Sequence, residues 1–168
     1  KSFYDILKSY NVNVTIRKEM GGNLSAACGQ LRANAEGKWN MITFYQTDPG
    51  KVRSHNEDSV TIVKNNNDEY LVVVADGMGG HKNGEVASHL ALDHITNRFK
   101  NISSVGNKED ASNWIQTIVS EANVEIFKYV TTHPESEGMG TTIVLAILTP
   151  SFLLIGNIGD SSGYVYKN

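Results

Sequence analysis

Hydrophobic positions recur with two different periods along this chain, and the changes of period mark its elements. Val60-Thr61-Ile62-Val63 is short and β-branched, which predicts a strand. Asn65-Asn66-Asn67-Asp68 has the composition of a hairpin turn. Tyr70 to Ala75 predicts the next strand, apolar enough to be buried on both faces. The period then changes. Val86, Leu90, Ile95 and Phe99, with Ala87 and Ala91, follow helical spacing from about Gly84 to Phe99. Trp114, Ile115, Ile118, Val119, Ala122, Ile126 and Tyr129 predict a second helix, with Asp110 or Ser112 as its N-cap. Thr131 to Gly140 reads as a loop. Thr142 to Leu148 and Phe152 to Ile158 read as two apolar strands joined at Thr149-Pro150-Ser151. Gly159 to Gly163 is a turn, and Tyr164 to Tyr166 begins another strand. Strands, then two helices, then strands describe an α+β layered domain.

The first forty residues have a different texture. Phe3, Ile6, Leu7 and Tyr10 predict a helix, and Val12, Val14 and Ile16 a short strand. Gly21-Gly22-Asn23 is a turn signal, and Leu24 to Arg32 suits a small helix. Asn34 to Asn40 is small and polar and reads as a linker. A fresh strand, Met41 to Tyr45, follows it.

Composition narrows the function classes. The 168 residues are 40% hydrophobic and 20% charged, an ordinary globular balance with room for a sizeable core. A formal charge of -3 argues against a generic nucleic-acid or membrane surface. Cys28 is the only cysteine, so no internal disulfide can form, and a reducing, cytoplasmic setting is expected. Cys28 reads as a small apolar residue rather than a nucleophile.

The chemistry concentrates in two acidic stretches. Arg53-Ser54-His55-Asn56-Glu57-Asp58 precedes one strand, and Asp76-Gly77-Met78-Gly79-Gly80-His81 leaves the next. Each has a plain alternative: Asp-Gly is a common turn pair, Asn-Glu-Asp a solvated acidic turn, and Arg53 a surface arginine. If Glu57 and Asp76 lie on neighbouring strands, their oxygens can converge on a hard divalent cation. Gly79, Gly80 and Gly84 would let the backbone approach a ligand. Arg53 beside them is a ready fork for phosphate oxygens. Asp160, after Ile158 and Gly159, repeats the arrangement of Asp76, or is a turn residue. His55 and His81 can donate protons or orient water, whereas His89 and His94 read as packing or surface residues. Zinc, Walker-type phosphate-loop and nucleophile-elbow motifs are absent from the sequence.

Taken in order, these motifs resemble the bacterial metal-dependent serine/threonine protein phosphatases of the PPM, or phosphatase-2C, family. The matching pieces begin with Thr47-Asp48-Pro49-Gly50-Lys51-Val52-Arg53 and Asn56-Glu57-Asp58, then Val74-Ala75-Asp76-Gly77-Met78-Gly79-Gly80 and Gly84-Glu85-Val86-Ala87-Ser88. Gly138-Met139-Gly140-Thr141-Thr142 and Asn157-Ile158-Gly159-Asp160-Ser161 complete the set. The resemblance implies a β-sandwich flanked by helices over residues 41–168, here in part. It implies that Glu57 and Asp76 ligate a two-metal Mn²⁺ or Mg²⁺ centre, with Asp76 bridging and the Gly77 carbonyl contributing. Asp58 would hydrogen-bond a metal-bound water, Asp160 would serve a third, weaker metal position, and Arg53 would bind the substrate phosphate. Phosphoproteins would be the substrates and a serine/threonine kinase the cognate partner, with a monomeric enzyme and no nucleic acid or membrane involved.

Departures from the pattern matter as well. Met78 stands where some eukaryotic members have histidine, and Ser162 where the family usually has arginine. The family's later Asp-Gly and Asp-Asn carboxylates do not occur before Asn168, so an N-terminal phosphatase fragment of little activity is expected. A catalytically inactive metal-binding or regulatory module of the same fold is the alternative. Val12 to Arg17 and Ala26-Ala27-Cys28-Gly29-Gln30-Leu31-Arg32 resemble the C-terminal tail of radical-SAM RNA adenine C2-methyltransferases, whose cluster cysteines are absent here. Residues 1–40 are therefore expected to be a tail and linker joined by fusion or readthrough, or by an assembly error, with a methyltransferase remnant as a further alternative for function.

Overall fold

A computed structural model of the chain describes residues 31–33, 39–52, 54–79 and 83–166. Its strands are β1 (Leu31–Ala33), β2 (Trp39–Met41), β3 (Asp58–Lys64), β4 (Tyr70–Met78), β5 (Gly140–Thr141), β6 (Ile143–Leu148) and β7 (Leu153–Ile158). Two long helices, α1 (Asn83–Asn101) and α2 (Lys108–Thr132), stand between β4 and β5, followed by a 3-10 turn at Pro134–Ser136. The main sheet is antiparallel in the order β3-β4-β6-β7, with β5 paired to the far end of β4. The helices cover one face of it, which agrees with the α+β expectation and with a sheet and helix pair of the flanked sandwich.

Alternation explains which face is covered. Leu71, Val73 and Ala75 of β4, with Leu145 and Ile147 of β6, are wholly or almost wholly buried. They meet Ala87, Ala91, Ile95 and Phe99, which recur on one side of α1, and Ile118 and Ala122 of α2. Phe99 closes the helix pair edge-on against Trp114, with ring centroids 5.6 Å apart. Each large side chain buried in this way contributes about 1.5–3 kcal/mol.

Several boundaries differ from the sequence reading. Burial of β4 on both faces is corrected: Val74 is 40% exposed, because the helices pack on one face only. The strand also runs on to Met78, since β5 supplies ladder partners for Gly77 and Met78. The strand expected over Met41 to Tyr45 shortens to Trp39–Met41, and Ile42, Phe44 and Tyr45 are each more than half exposed without a ladder partner. Leu31 and Arg32, the end of an expected helix, instead begin a strand, Leu31–Ala33, paired with Trp39–Met41, so part of the expected linker is also in a ladder. The rest of the expected elements before Leu31, and Cys28, lie outside the described residues. The expected loop from Thr131 contains the end of α2 and the 3-10 turn. Tyr164 to Tyr166 is not a strand, and the preceding Gly163 lies against the Val144 and Ile155 side chains.

The N-cap of α2 is Asn107, not Asp110 or Ser112. Its side-chain oxygen accepts from the Glu109 and Asp110 amides, while Asp110 reaches back to the Asn107 amide in a capping box. Among the described residues no helix is long and apolar enough to cross a membrane.

The end of the sheet away from the acidic motifs is closed by one carboxylate. Glu69, 3% exposed, accepts from Asn65 Nδ2 (2.6 Å), Ser104 Oγ (2.8 Å), the Val105 amide (2.8 Å) and Asn67 Nδ2 (3.1 Å). It thereby ties the β3–β4 turn to the α1–α2 connection. Burial alone raises its carboxyl pKa, but the hydrogen bonds from Asn65, Ser104, Val105 and Asn67 together hold it below the ordinary value. A lowered folded pKa stabilises the fold above the unfolded value and loses that stabilisation as pH falls through the folded one. Glu69→Ala, which strands these donors, is expected to cost about 3 kcal/mol in urea unfolding. Glu69→Gln is expected to flatten the acid limb of the stability profile below the ordinary carboxylate pKa of 4.5; an unchanged acid limb would count against the clamp.

Candidate metal centre

Ladder register brings the acidic motifs together. Asp58 of β3 stands directly opposite Asp76 of β4. On the other edge of β4, the register that joins Val74 to Val144 and Gly77 to Thr141 brings Thr142 level with Asp76. The β6–β7 register, which pairs Ile143 with Ile158, carries the same row on to Gly159. Asp58, Asp76, Thr142 and Gly159 thus form one line across four strands at one end of the sheet. Cross-strand partners share a face. Here it is the face away from the helices, because neighbouring Ser59 and Ala75 are buried on the helical side.

Asp76 is held by its backbone and leaves its side chain exposed. Its amide donates to Thr142 Oγ1 (3.2 Å), and its carbonyl accepts from the Thr142 amide (2.9 Å) and the Thr141 hydroxyl (3.0 Å). Glu57 extends the β3 side, its carbonyl accepting from the Gly77 amide at 3.1 Å. Asn56 braces the entrance: its oxygen accepts from the Asp58 amide (3.0 Å) and its amide group donates to Thr47 Oγ1 (2.6 Å).

The strand exit meets the first turn of α1 through two glycines. A Cβ on Gly77 would overlap the Gly84 carbonyl. One on Gly84 would sit 3.0 Å from the Gly77 oxygen and 3.1 Å from the Glu57 carboxyl carbon. The Gly77 carbonyl and the Glu57 carboxylate therefore border the same spot, which only glycine leaves open. The Glu57 side chain is 15% exposed, and the helix N-terminus beside it favours negative charge. His55 Nε2 lies 3.9 Å from Glu57 Oε1.

Asp160 reaches the same end by a turn. Gly159 has φ +100°, and a Cβ there would come within 2.7 Å of the Thr142 methyl. The Ser161 and Thr142 hydroxyls are 2.8 Å apart, and Asn157 Nδ2 donates to the Ser161 carbonyl at 2.8 Å.

Of the residues proposed from sequence, Glu57, Asp58, Asp76 and Gly77 are brought to one rim, and Asp160 is docked beside them through Thr142. Arg53 and His81 lie outside the described residues. Met78 is 53% exposed. Gly84, expected to allow close backbone approach, does so against Gly77. Asn56, Thr142 and Ser161 shape the rim without having been assigned a role from sequence, and although each lies in a quoted motif, the contacts that give it a role are tertiary. The oxygen-only donors, two carboxylates and a carbonyl, suit a hard divalent cation such as Mg²⁺ or Mn²⁺. Among the described residues no group of three or more His, Cys, Asp or Glu side chains converges as a complete site. A groove of about 590 Å³ along α2 shares no residue with the rim, and its Glu121 is already paired with His94 and Arg98.

Comparison with known proteins bears on the same segment. The sequence profile described as Protein phosphatase 2C matches residues 50–168. The serine/threonine phosphatase stp of Listeria monocytogenes is 40% identical over 128 residues, covering 76% of this chain and 51% of that protein. The serine/threonine protein phosphatase PstP of Mycobacterium tuberculosis is 37% identical over 126 residues, covering 73% of this chain and 22% of that protein. Among solved structures, Stp1 from Staphylococcus aureus superposes with a TM-score of 0.65 at 32% identity, over 88% of this chain and 51% of that one. The catalytic domain of PstP in complex with two manganese ions superposes with a TM-score of 0.59 at 34% identity, over 68% of this chain and 46% of that one. The chain spans about half the length of the first of these relatives. With the acidic strand ends, the paired glycines and the profile match all falling on one continuous segment, the chain belongs to the protein phosphatase 2C family.

Proposed function

We propose that this chain serves hydrolysis of phosphoserine and phosphothreonine in proteins, with Mn²⁺ or Mg²⁺ at the Glu57–Asp76 rim. The observation that carries this reading is the contact of Gly77 with Gly84, which sets a carbonyl and the Glu57 carboxylate together at the strand end that bears Asp76. Glu57, Asp76 and the Gly77 carbonyl are the oxygen donors to the cations, and Asp160 is a further, weaker one. When bound, the cations supply positive charge for the phosphate oxygens and an activated water. Asp58, exposed and opposite Asp76, accepts a hydrogen bond from the attacking water and orients it. Arg53, assigned from its sequence position, donates paired N–H bonds to the phosphate. Water attacks phosphorus in line with the seryl or threonyl oxygen, and the free hydroxyl and inorganic phosphate result without a phospho-enzyme. A serine/threonine kinase that writes the phosphate is the matching partner.

A metal-binding module without turnover is a second reading, favoured by the small donor set. Each cation wants about six oxygens, more than these residues supply. Mn²⁺-dependent hydrolysis of p-nitrophenyl phosphate by the purified chain decides between them: turnover supports the phosphatase, and calorimetric Mn²⁺ binding without turnover supports the module.

Substitutions separate the assigned roles. Asp76→Asn is expected to weaken Mn²⁺ binding at least tenfold and to lower any hydrolysis by about 100-fold or more, beyond the usual cost of losing an outer-shell partner. Arg53→Ala is expected to reduce phosphopeptide hydrolysis while leaving Mn²⁺ affinity unchanged. Gly84→Ala pushes a methyl between Gly77 and Glu57, and calorimetry should find it impairing cation binding more than the melting temperature implies. Equal Mn²⁺ affinity in Asp76→Asn and the parent chain would remove Asp76 from the centre.

A further inference from the structure

Thr142 touches two of the carboxylate-bearing segments, the end of β4 with Asp76 and the turn with Asp160, and every part of it is used. It is 3% exposed. Its amide donates to the Asp76 carbonyl at 2.9 Å, and its hydroxyl oxygen accepts from the Asp76 amide at 3.2 Å. A hydroxyl offers one donor and two acceptor sites, so the same group can also bond Ser161 Oγ, 2.8 Å away. Its methyl fills the space beneath Gly159, where a Cβ would come within 2.7 Å of it. Ser161 is held in turn by Asn157 from the end of β7. Backbone ladder bonds tie β4 to β6 and β6 to β7, but the Gly159–Ser161 turn lies past the end of that ladder. Through its hydroxyl, with its methyl packed beneath Gly159, Thr142 joins Asp76 to the turn that carries Asp160.

We propose that Thr142 is a positioning residue that sets Asp160 relative to Asp76, so that the two carboxylates respond to a cation together. The coupling to cations rests on the metal reading above; the positioning does not. Loss of the hydroxyl leaves the Asp76 amide and Ser161 without that partner, while the Thr142 backbone bond to Asp76 survives.

Hydrogen exchange on the cation-free chain tests the positioning. Thr142→Val is expected to speed exchange about tenfold at the Asp76 amide and across residues 159–163, the loss of one net hydrogen bond. Thr142→Ser keeps the hydroxyl and is expected to exchange nearly as the parent does. Ser161→Ala is expected to loosen residues 159–163 and leave the Asp76 amide protected. Unchanged exchange in Thr142→Val, or equal loosening of the whole sheet in all three variants, overturns the proposal. Mn²⁺ calorimetry then tests the coupling: Asp160→Asn is expected to weaken binding in the parent and to add little in Thr142→Val. Full additivity overturns the coupling. Absence of Mn²⁺ binding by the parent chain overturns the metal reading and with it the coupling, and the exchange rates still decide whether Thr142 positions the turn.

Discussion

Strand β4 is hydrogen-bonded along both edges, and the arrangement of the rim follows from that double pairing. On one side it is in register with β3 from Tyr70 to Asp76. On the other it pairs with β6 and then, without change of register, with β5. A strand held on both sides cannot slip by one residue without turning every side chain to the opposite face. The burial of Leu71, Val73 and Ala75 against α1 therefore also dictates that Asp76 faces outward, level with Asp58 and Thr142. Hydrophobic packing in the middle of the strand aims the carboxylate at its end.

The two ends of β4 handle charge in opposite ways. Glu69 is enclosed and surrounded by donors that all belong to the fold, so its charge is spent on joining the β3–β4 turn to the helix connection. At the other end, Asp58 and Asp76 are placed directly across from each other, a like-charge pairing that a sheet ordinarily avoids. Local rules are most often broken where function requires it. The cation proposed for the rim would give this pairing a physical purpose.

Close backbone approach is the second device at the rim. Gly77 and Gly84 let a strand end and a helix start meet with no side chain between them. This sets the Gly77 carbonyl beside the Glu57 carboxylate, with the helix N-terminus next to both. The opposite charge preference of helix and carboxylate adds to the placement. At Gly159 the backbone is left-handed instead, and it folds the Asp160 turn down on Thr142.

Period and composition alone determined much of this molecule. The 2-residue and 3.6-residue patterns located β3, β4, β6, β7 and both helices to within a few residues, because each buries one regular face. Acidic residues at apolar strand ends drew attention to Glu57, Asp76 and Asp160 despite their plain readings as turn residues, and the order of the motifs, through the family resemblance, added roles for Asp58 and Gly77. Short or partnerless segments escaped this reading. Met41 to Tyr45 and Tyr164 to Tyr166 have strand-like residues, but a strand exists only where a neighbour offers its hydrogen bonds, and β5 exists only because β4 runs on beside it. The N-cap at Asn107 turned on which of several polar side chains reaches the free amides. Thr142 gives the sharpest contrast: in sequence it closes the Gly138 to Thr142 motif at the start of an apolar run, with no role of its own. Its role comes from meeting Asp76 across 66 residues of chain and Ser161 across 19, and a meeting over such distances is decided by strand register, which only the folded sheet supplies.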